Sequence, residues 1–513
     1  MGILLSIDLG TEGARVGAFT EDGVALGAVH RPYPTRFPRP GWAEQDPRDW
    51  WDAITAATRE LLTTDPCRAA GHVVAIAAAT TSSTVAVLDG AGVPLRPAIL
   101  WMDCRSGTES ERTAQLSADY PILEWSGGSD AAEWLVPKAM WLKSHDPATY
   151  LSAARIVEAV DYVTFRLTGQ WVGSQMNAVC KYNYDSIAQR YPVELYTALG
   201  VEDLATKLPD RIAEVGSAAG TLSAAAAADL GISGRPVVAV GGIDAHVSLL
   251  ACGAELDGLV SIVSGTSSAI IAEVDVPTST HEIWGPYPRA LHQNKWLVEG
   301  GQVASGSVLK WTGESIMGVP RAELAALVDE AASVDPAAHG LRALDYFMGN
   351  RTPYREARLR GAVVGLSLGT TKAELYRAMV EAVACGTRSV IDSFERSGVP
   401  CDRLVLSGGI ERNPLWQQIT VDVLGRPADL VIGENLTLRA CAVIAATAAG
   451  VAASLDDGSR LFSPRIRTLE PDPERIEIYQ NIFDDYQRLT AILQPFMRDG
   501  ADRAATRRIE VTR

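Results

Sequence analysis

The chain has 513 residues, 47% hydrophobic and 21% charged, the composition of a globular protein long enough for several domains at roughly 100–200 residues each. Its net charge of −16 argues against a nucleic-acid or anionic-membrane surface, which need basic patches, but not against a phosphate held by backbone N–H groups. Cys67, Cys104, Cys180, Cys252, Cys385, Cys401 and Cys441 are odd in number and form no CxxC pair, so the expectation is reduced thiols in a cytoplasmic protein, without a zinc site or a disulfide framework.

The N-terminus carries no basic region, and Asp8 breaks its apolar run, which speaks against a signal peptide. Ile3–Asp8, Val16–Thr20 and Val24–Val29 read as strands, with Glu21-Asp22-Gly23 turning between the last two. Pro47–Thr63 has the three- and four-residue apolar spacing of a helix. Val73–Ala79 and Thr84–Leu88 are the next strands. Val237–Val240 then runs into Gly241-Gly242-Ile243-Asp244, and Leu259–Val263 into Ser264-Gly265-Thr266-Ser267-Ser268, with a further strand at Ala269–Val274. Lys372–Ser397 predicts a long buried helix. Leu404–Ser407 predicts a strand that enters Gly408-Gly409 ahead of a helix over Pro414–Leu424. Leu438–Gly450 predicts a small-residue helix suited to close packing. Glu474–Leu493 predicts an amphipathic helix stopped near Pro495, and Ala501–Arg513 a mobile tail. No apolar run reaches the roughly 18 residues of a membrane span.

Two of these segments echo each other. Residues 3–19 and 259–274 both read strand, Gly-Thr turn, strand. With Ser407-Gly408-Gly409 they make three strand-ending glycine turns, each able to bring backbone N–H groups close to a ligand. One such turn alone is a weak signal; three in order, two of them mirrored, predict a phosphate clamp.

The landmarks "SIDLGTEGAR" (6–15), "PGWAEQDPRDWW" (40–51), "AILWMDCRS" (98–106), "DYVTFRLTG" (161–169), "GGIDAH" (241–246), "SGTSS" (264–268), "WLVEGGQVASG" (296–306), "GNRTP" (349–353) and "LSGGIERNPLWQQITVDVLGRP" (406–427) resemble the FGGY carbohydrate kinases over nearly the whole chain. "EWLVPKAMWLK" (133–143), "CKYNY" (180–184) and "LRGAVVGL" (359–366) are most similar to the ribulokinase branch. The resemblance implies an α/β fold of two actin- and hexokinase-like (ribonuclease H-like) domains around an active-site cleft. It implies a sugar-binding domain over 1–250, a nucleotide-binding domain over 251–455, and a C-terminal helix and tail over 456–513.

It also implies roles. Asp244 is the general base that takes the proton of the attacking sugar hydroxyl; on sequence alone it also fits a helix N-cap. Asp8 lies by the Mg2+ that bridges the phosphates of ATP. Gly10, Thr11 and Arg15 hold the terminal phosphate from one side, and Gly265, Thr266 and Ser267 from the other. Gly408, Gly409 and Asn413 meet the α-phosphate and adenosine. Lys181 and Glu299 contact sugar hydroxyls beside Asp244, with Trp101, Asp103, Arg105 and His246 as further candidates. Lys181 also fits a structural ion pair, Trp101 core packing, and Arg15 a solvated strand charge.

Five positions depart from the family pattern. Thr80 stands where D-ribulokinase patterns carry Asp, in a turn expected to face the sugar. Val247-Ser248 follow "DAH" where small residues are usual. Arg439 replaces a glycine in a helix expected on the nucleotide side, and Glu12 replaces a small hydroxyl residue. The reaction expected is transfer of the γ-phosphoryl group of ATP to a terminal hydroxyl of a small ketose, a pentulose first. Other ketoses or polyols (xylulose, erythrulose, erythritol, ribitol, a deoxy sugar) stay open, and a mechanical ATPase or a silent sugar sensor of this fold is the remote alternative. The second phosphate turn lacks the acidic residue that mechanical ATPases repeat there, which favours a sugar kinase. The partners expected are sugar and ATP, with a homodimer as the default assembly.

Overall fold

The N-terminal hairpin seeds the first of two large sheets. The computed structural model describes residues 2–511 other than 254, 279, 280, 337–339 and 434, with side chains through Asp499. β1 (Ile3–Leu9) is buried throughout and pairs antiparallel with β2 (Gly13–Thr20), which pairs antiparallel with β3 (Ala25–Pro32). α1 (Pro47–Leu62) starts at Pro47 under an Asp46 cap and buries Trp50, Trp51, Ile54, Ala57 and Leu61. It packs on β2 and β3 and returns the chain to β4 (Val73–Thr80), parallel to β1. A long excursion follows, which includes a helix at Leu135–His145 and α2 (Gln175–Lys181). β5 (Ala218–Thr221) and β6 (Val237–Ala239) then complete the order β5-β6-β4-β1-β2-β3. β7 (Gly242–Ile243) pairs with the end of β4 and runs into α3 (Asp244–Val247).

The second sheet repeats the plan. β8 (Leu259–Ser264) and β9 (Ser268–Val274) form the antiparallel pair. β10 (Trp284–Pro288) is an added outer strand on β11 (Trp296–Gln302), which flanks β9 as β3 flanks β2. α4 (Lys372–Arg396) begins with a Thr371/Glu374 capping box. It leads to β12 (Arg403–Gly408), parallel to β8 as β4 is to β1. α5 (Pro414–Leu424), β13 (Ala428–Val431) and the edge strand β14 (Ile466–Leu469) finish the sheet. The echo between residues 3–19 and 259–274 is thus one hairpin of a repeat that covers both sheets.

Two expectations change. α6 (Leu436–Ala448) lies on β1 and β4, so a helix from the second half of the sequence packs on the first sheet. Its Ala440, Ala442, Ala445 and Ala446 are fully buried, and small side chains are what let it come that close. α7 (Ile476–Val511) does not stop at Pro495 but carries it internally, and Ala501–Val511, expected as a mobile tail, lie in this helix. Leu489, Leu493 and Met497 pack against the second core on either side of the proline, which offsets the lost backbone hydrogen bond. Residues 512 and 513 of that tail lie outside the described residues. No helix among the described residues is long and apolar enough to cross a membrane.

Candidate active site

Parallel strands bring their C-terminal ends together, and the site is built there. Leu9 of β1 is level with Thr80 of β4, and Ile243 of β7 is also level with Thr80. Asp8, the Gly10-Thr11 turn, the turn after Thr80 and Asp244 therefore share one edge. In the second sheet Ser264 is level with Gly408, which sets the Gly265–Ser267 turn beside Gly408-Gly409.

The glycines divide by what they need. Gly408 has φ +86°, and a Cβ there would lie 2.8 Å from the Ser264 carbonyl oxygen, so the fold requires glycine. Gly10 and Gly265 do not have positive φ. A Cβ would meet nothing closer than 3.6 Å at Gly10 and 3.9 Å at Gly265. The backbone does not demand glycine at either turn, and the space a side chain would take is left open at both jaws. The loops are held from behind. Tyr33 OH donates to Gly10 O, Gln45 Nε2 to Thr11 O at 2.7 Å, and Trp101 Nε1 to Thr11 Oγ1 at 2.9 Å. In the other jaw Thr266 O accepts from Ser305 N and Ser307 N, and Gly265 O from Gly306 N.

Asp8 is buried, and Arg15 Nη1 (3.3 Å) and Asn435 Nδ2 (3.1 Å) donate to its Oδ2. Burial raises its pKa against the pull of Arg15 and Asn435. Asp244 is partly exposed at the start of α3, and its Oδ1 accepts from Ala245 N at 2.7 Å. Burial, with the charge of Asp8 second, pushes its pKa up to about 7. A carboxylate so placed can accept a proton near neutral pH. Arg15 is half exposed on β2 and, among the described residues, pairs with Asp8.

The two halves of the chain meet at Glu299. Its Oε2 lies 3.1 Å from Lys181 Nζ at the end of α2 and 3.2 Å from His246 Nε2 in α3. Burial alone would raise Glu299; Lys181 and His246 reverse that and hold it far below the usual carboxylate range. Burial keeps His246 below the ordinary histidine value despite Glu299, and its Nδ1 is buried without a hydrogen-bond partner among the described residues. The Lys181 ammonium also lies 4.7 Å from the centre of the Trp134 ring.

Several expected residues are placed elsewhere. Asp103 is fully buried and accepts from Ala43 N and from Arg105 N, Nε and Nη2, while Arg105 stacks on Trp42 at 3.7 Å. This pair belongs to the fold and is not a sugar contact. Trp101 serves the Thr11 loop. Thr80 is fully buried, so the part-exposed Thr81 and Ser82, not Thr80, are the positions that turn offers to the cleft. Arg439 is buried in α6, its Nη1 on the Phe462 and Ser463 carbonyls and its guanidinium over Phe19. It braces the first sheet rather than facing a nucleotide. Asn413 caps α5 through Trp416 N at 3.1 Å. Ser248 Oγ donates to Asp244 O at 2.7 Å. Glu12 is exposed, and nothing in the structure explains its choice.

Sequence reasoning missed three residues. Asn435 caps α6 through Leu438 N at 2.9 Å as well as binding Asp8. Lys138 and Glu158 are fully buried beneath the Thr81–Thr84 turn. Lys138 Nζ donates to Ser83 O at 2.5 Å and Leu100 O at 2.7 Å, while Glu158 accepts from Ser83 N at 2.7 Å and Asn177 Nδ2 at 3.3 Å. For Lys138 and Glu158 a charged letter inside an apolar run was the available signal; their partners, backbone atoms and the Asn177 side chain, are distant in sequence.

Residues 3–251 match the N-terminal domain of the FGGY family of carbohydrate kinases, and residues 260–452 its C-terminal domain. A ribulokinase of Mycolicibacterium smegmatis is 30% identical, with 95% of this chain and 93% of that one covered. An FGGY carbohydrate kinase domain-containing protein of Danio rerio is 30% identical over 78% of this chain and 80% of its own. The crystal structure of a xylulose kinase from Rhodospirillum rubrum superposes with a TM-score of 0.83 at 27% identity, covering 97% of this chain and all of that one. With both domains matched in order and the repeated sheets in place, the chain belongs to the FGGY family of carbohydrate kinases.

Proposed function

We propose that this sugar kinase transfers the γ-phosphoryl group of ATP to the terminal hydroxyl of a pentulose, with Asp244 as the general base. The observation that carries the reading is the edge shared by Asp8, the Gly10-Thr11 turn and Asp244, with Glu299 of the second half brought to it by Lys181 and His246. A carboxylate poised near neutrality shares its edge with Asp8 and the Gly10-Thr11 turn, two residues before His246 of a buried Lys181–Glu299–His246 cluster that joins the two halves. A polyhydroxylated ligand needs such donors and acceptors, since a hydroxyl buried unpaired is costly. Residues 1–250 would bind sugar and supply the base, residues 251–455 would bind nucleotide apart from α6, and residues 456–513 would cover the second sheet.

In this mechanism Lys181 donates to a sugar oxygen and Glu299 accepts from a hydroxyl, which aims the terminal hydroxyl at Asp244. Asp244 takes its proton as the oxygen attacks phosphorus. Gly10, Thr11 and Arg15 on one side and Gly265, Thr266 and Ser267 on the other hold the transferring group. Gly408 and Gly409 lie against the second jaw, where the rest of the nucleotide would follow. Asp8 fits a hard divalent cation: both its hydrogen bonds fall on Oδ2, which leaves Oδ1 for the ion or its water. Bound Mg2+ would neutralise phosphate charge.

The ribulokinase and xylulose kinase relatives both act, by name, on five-carbon ketoses, which supports the substrate class. The test is ADP formation with ribulose, xylulose, erythrulose, ribitol, erythritol and glycerol. The expected result is the highest kcat/KM with a pentulose; a polyol in first place would overturn the substrate assignment.

A further inference from the structure

Lys181 and Glu299 come from different domains, so their meeting depends on the register between the two halves. A continuous column of side chains runs from that pair to the far side of the boundary. The Lys181 ammonium lies 4.7 Å from the Trp134 ring centre. Trp134, from the first half, packs on Trp284 of β10 with ring centroids 5.1 Å apart. Arg355 then covers Trp284, its Cζ 3.8 Å from the ring centre. The guanidinium also closes the boundary itself: Nη1 donates to Gly127 O of the first half at 2.8 Å, and Nη2 to Ile283 O of the second. Arg355 reaches this position with φ +47°, in the left-handed region that a non-glycine residue avoids. Four residues earlier in the same loop, Arg351 lies 4.0 Å from Glu133, the neighbour of Trp134.

From this juxtaposition we propose that Arg355 is a positioning residue for the sugar half of the reaction. Through Trp284 and Trp134 it fixes the register in which Lys181 meets Glu299. The inference rests on the reading of Lys181 and Glu299 as sugar contacts and goes beyond it, because Arg355 touches neither. A purely structural anchor would affect stability alone. A positioning residue sets the sugar geometry, and an error of about 1 Å there is worth up to about 100-fold in rate.

The experiment compares wild type with Arg355→Gln, Arg355→Lys, Trp284→Phe and Lys181→Met, using ribulose or xylulose, whichever wild type phosphorylates faster. Sugar KM, ATP KM, kcat and melting temperature are measured for each. Arg355→Gln is expected to lower kcat/KM for the sugar by about tenfold to 100-fold with ATP KM within about twofold of wild type. Trp284→Phe is expected to move the sugar parameters in the same direction by less, and Arg355→Lys to recover part of the loss. Should Arg355→Gln not fold, Trp284→Phe and Arg355→Lys carry the same split. A lower melting temperature with unchanged sugar kinetics, or an equal rise in both KM values, overturns the positioning role. Wild-type sugar kinetics in Lys181→Met overturn the sugar-contact reading instead, and the coupling with it.

Discussion

Replacing Asp244 with Asn should move stability and activity in opposite directions. In the folded chain the Asp244 carboxyl is pushed up to about 7 from an ordinary 3.8, by burial first and the charge of Asp8 second. A raised carboxyl contributes stability that is fully present below its unfolded pKa. That contribution is lost as pH rises through the folded value. At about 1.4 kcal/mol per pKa unit, ionised Asp244 costs at most about 4 kcal/mol at pH 8. Roughly half of that has developed by pH 5.5, because the unfolded side chain is already ionised there. Asp244 is partly exposed, and solvent screening brings the gain expected from Asn at pH 8 down to about 1–3 kcal/mol. That corresponds to a few degrees in melting temperature. Loss of the base should meanwhile lower kcat by about 10²- to 10⁴-fold. The assays are thermal melts at pH 5.5 and pH 8 and coupled ADP release at pH 8. A stabilisation that does not grow between the two pH values would refute the electrostatic argument, and kcat within threefold of wild type would refute the role of the base.

Further outcomes follow from the same geometry. Gly265→Ala and Gly10→Ala have room for the added Cβ in the protein alone, so melting temperatures should hold while ATP KM rises at least about tenfold; unchanged ATP kinetics would show that neither turn holds phosphate. Asn435→Ala should cost about 1 kcal/mol through the lost α6 cap and lower kcat through Asp8, whereas Asn435→Ser should restore stability but not kcat. Lys138→Met should destabilise by about 1–3 kcal/mol in chemical denaturation, since it strips the Ser83 and Leu100 carbonyls of their buried donor; an unchanged denaturation midpoint would show that the turn does not depend on it. In wild type kcat/KM for the sugar should fall as pH drops below about 7, when Asp244 takes up a proton and ceases to act as a base.

The phosphate side was legible because its chemistry is local. Strand, glycine turn and strand follow one another within about twenty residues, and the backbone N–H groups proposed to hold phosphate belong to the turn itself. The two hairpins were legible for the same reason: the strand, turn and strand of β1–β2 recur in β8–β9. The sugar side was legible only as letters borrowed from a family pattern. Lys181, His246 and Glu299 are separated by over fifty residues at each step, and no periodicity brings them together. Asp103 misled because a charged letter inside a motif reads as a ligand contact, while burial can spend that charge on backbone and neighbouring side chains; Arg439 misled through its helix, which was expected on the nucleotide side and packs on the first sheet instead. α6 shows the same limit for helices. Its alanines announced close packing, but the partner, β1, lies more than four hundred residues upstream.

The central claim is phosphoryl transfer to one terminal hydroxyl of a five-carbon ketose, and the product shows it most directly. Wild-type protein with Mg2+, ATP and the best pentulose from the screen should yield a phosphomonoester. Phosphorus–proton correlation NMR should couple that phosphorus to the two protons of a terminal CH2, with ADP formed in equal amount. Inorganic phosphate in place of the ester, or phosphorus coupled to a single proton on an internal carbon, would contradict the account.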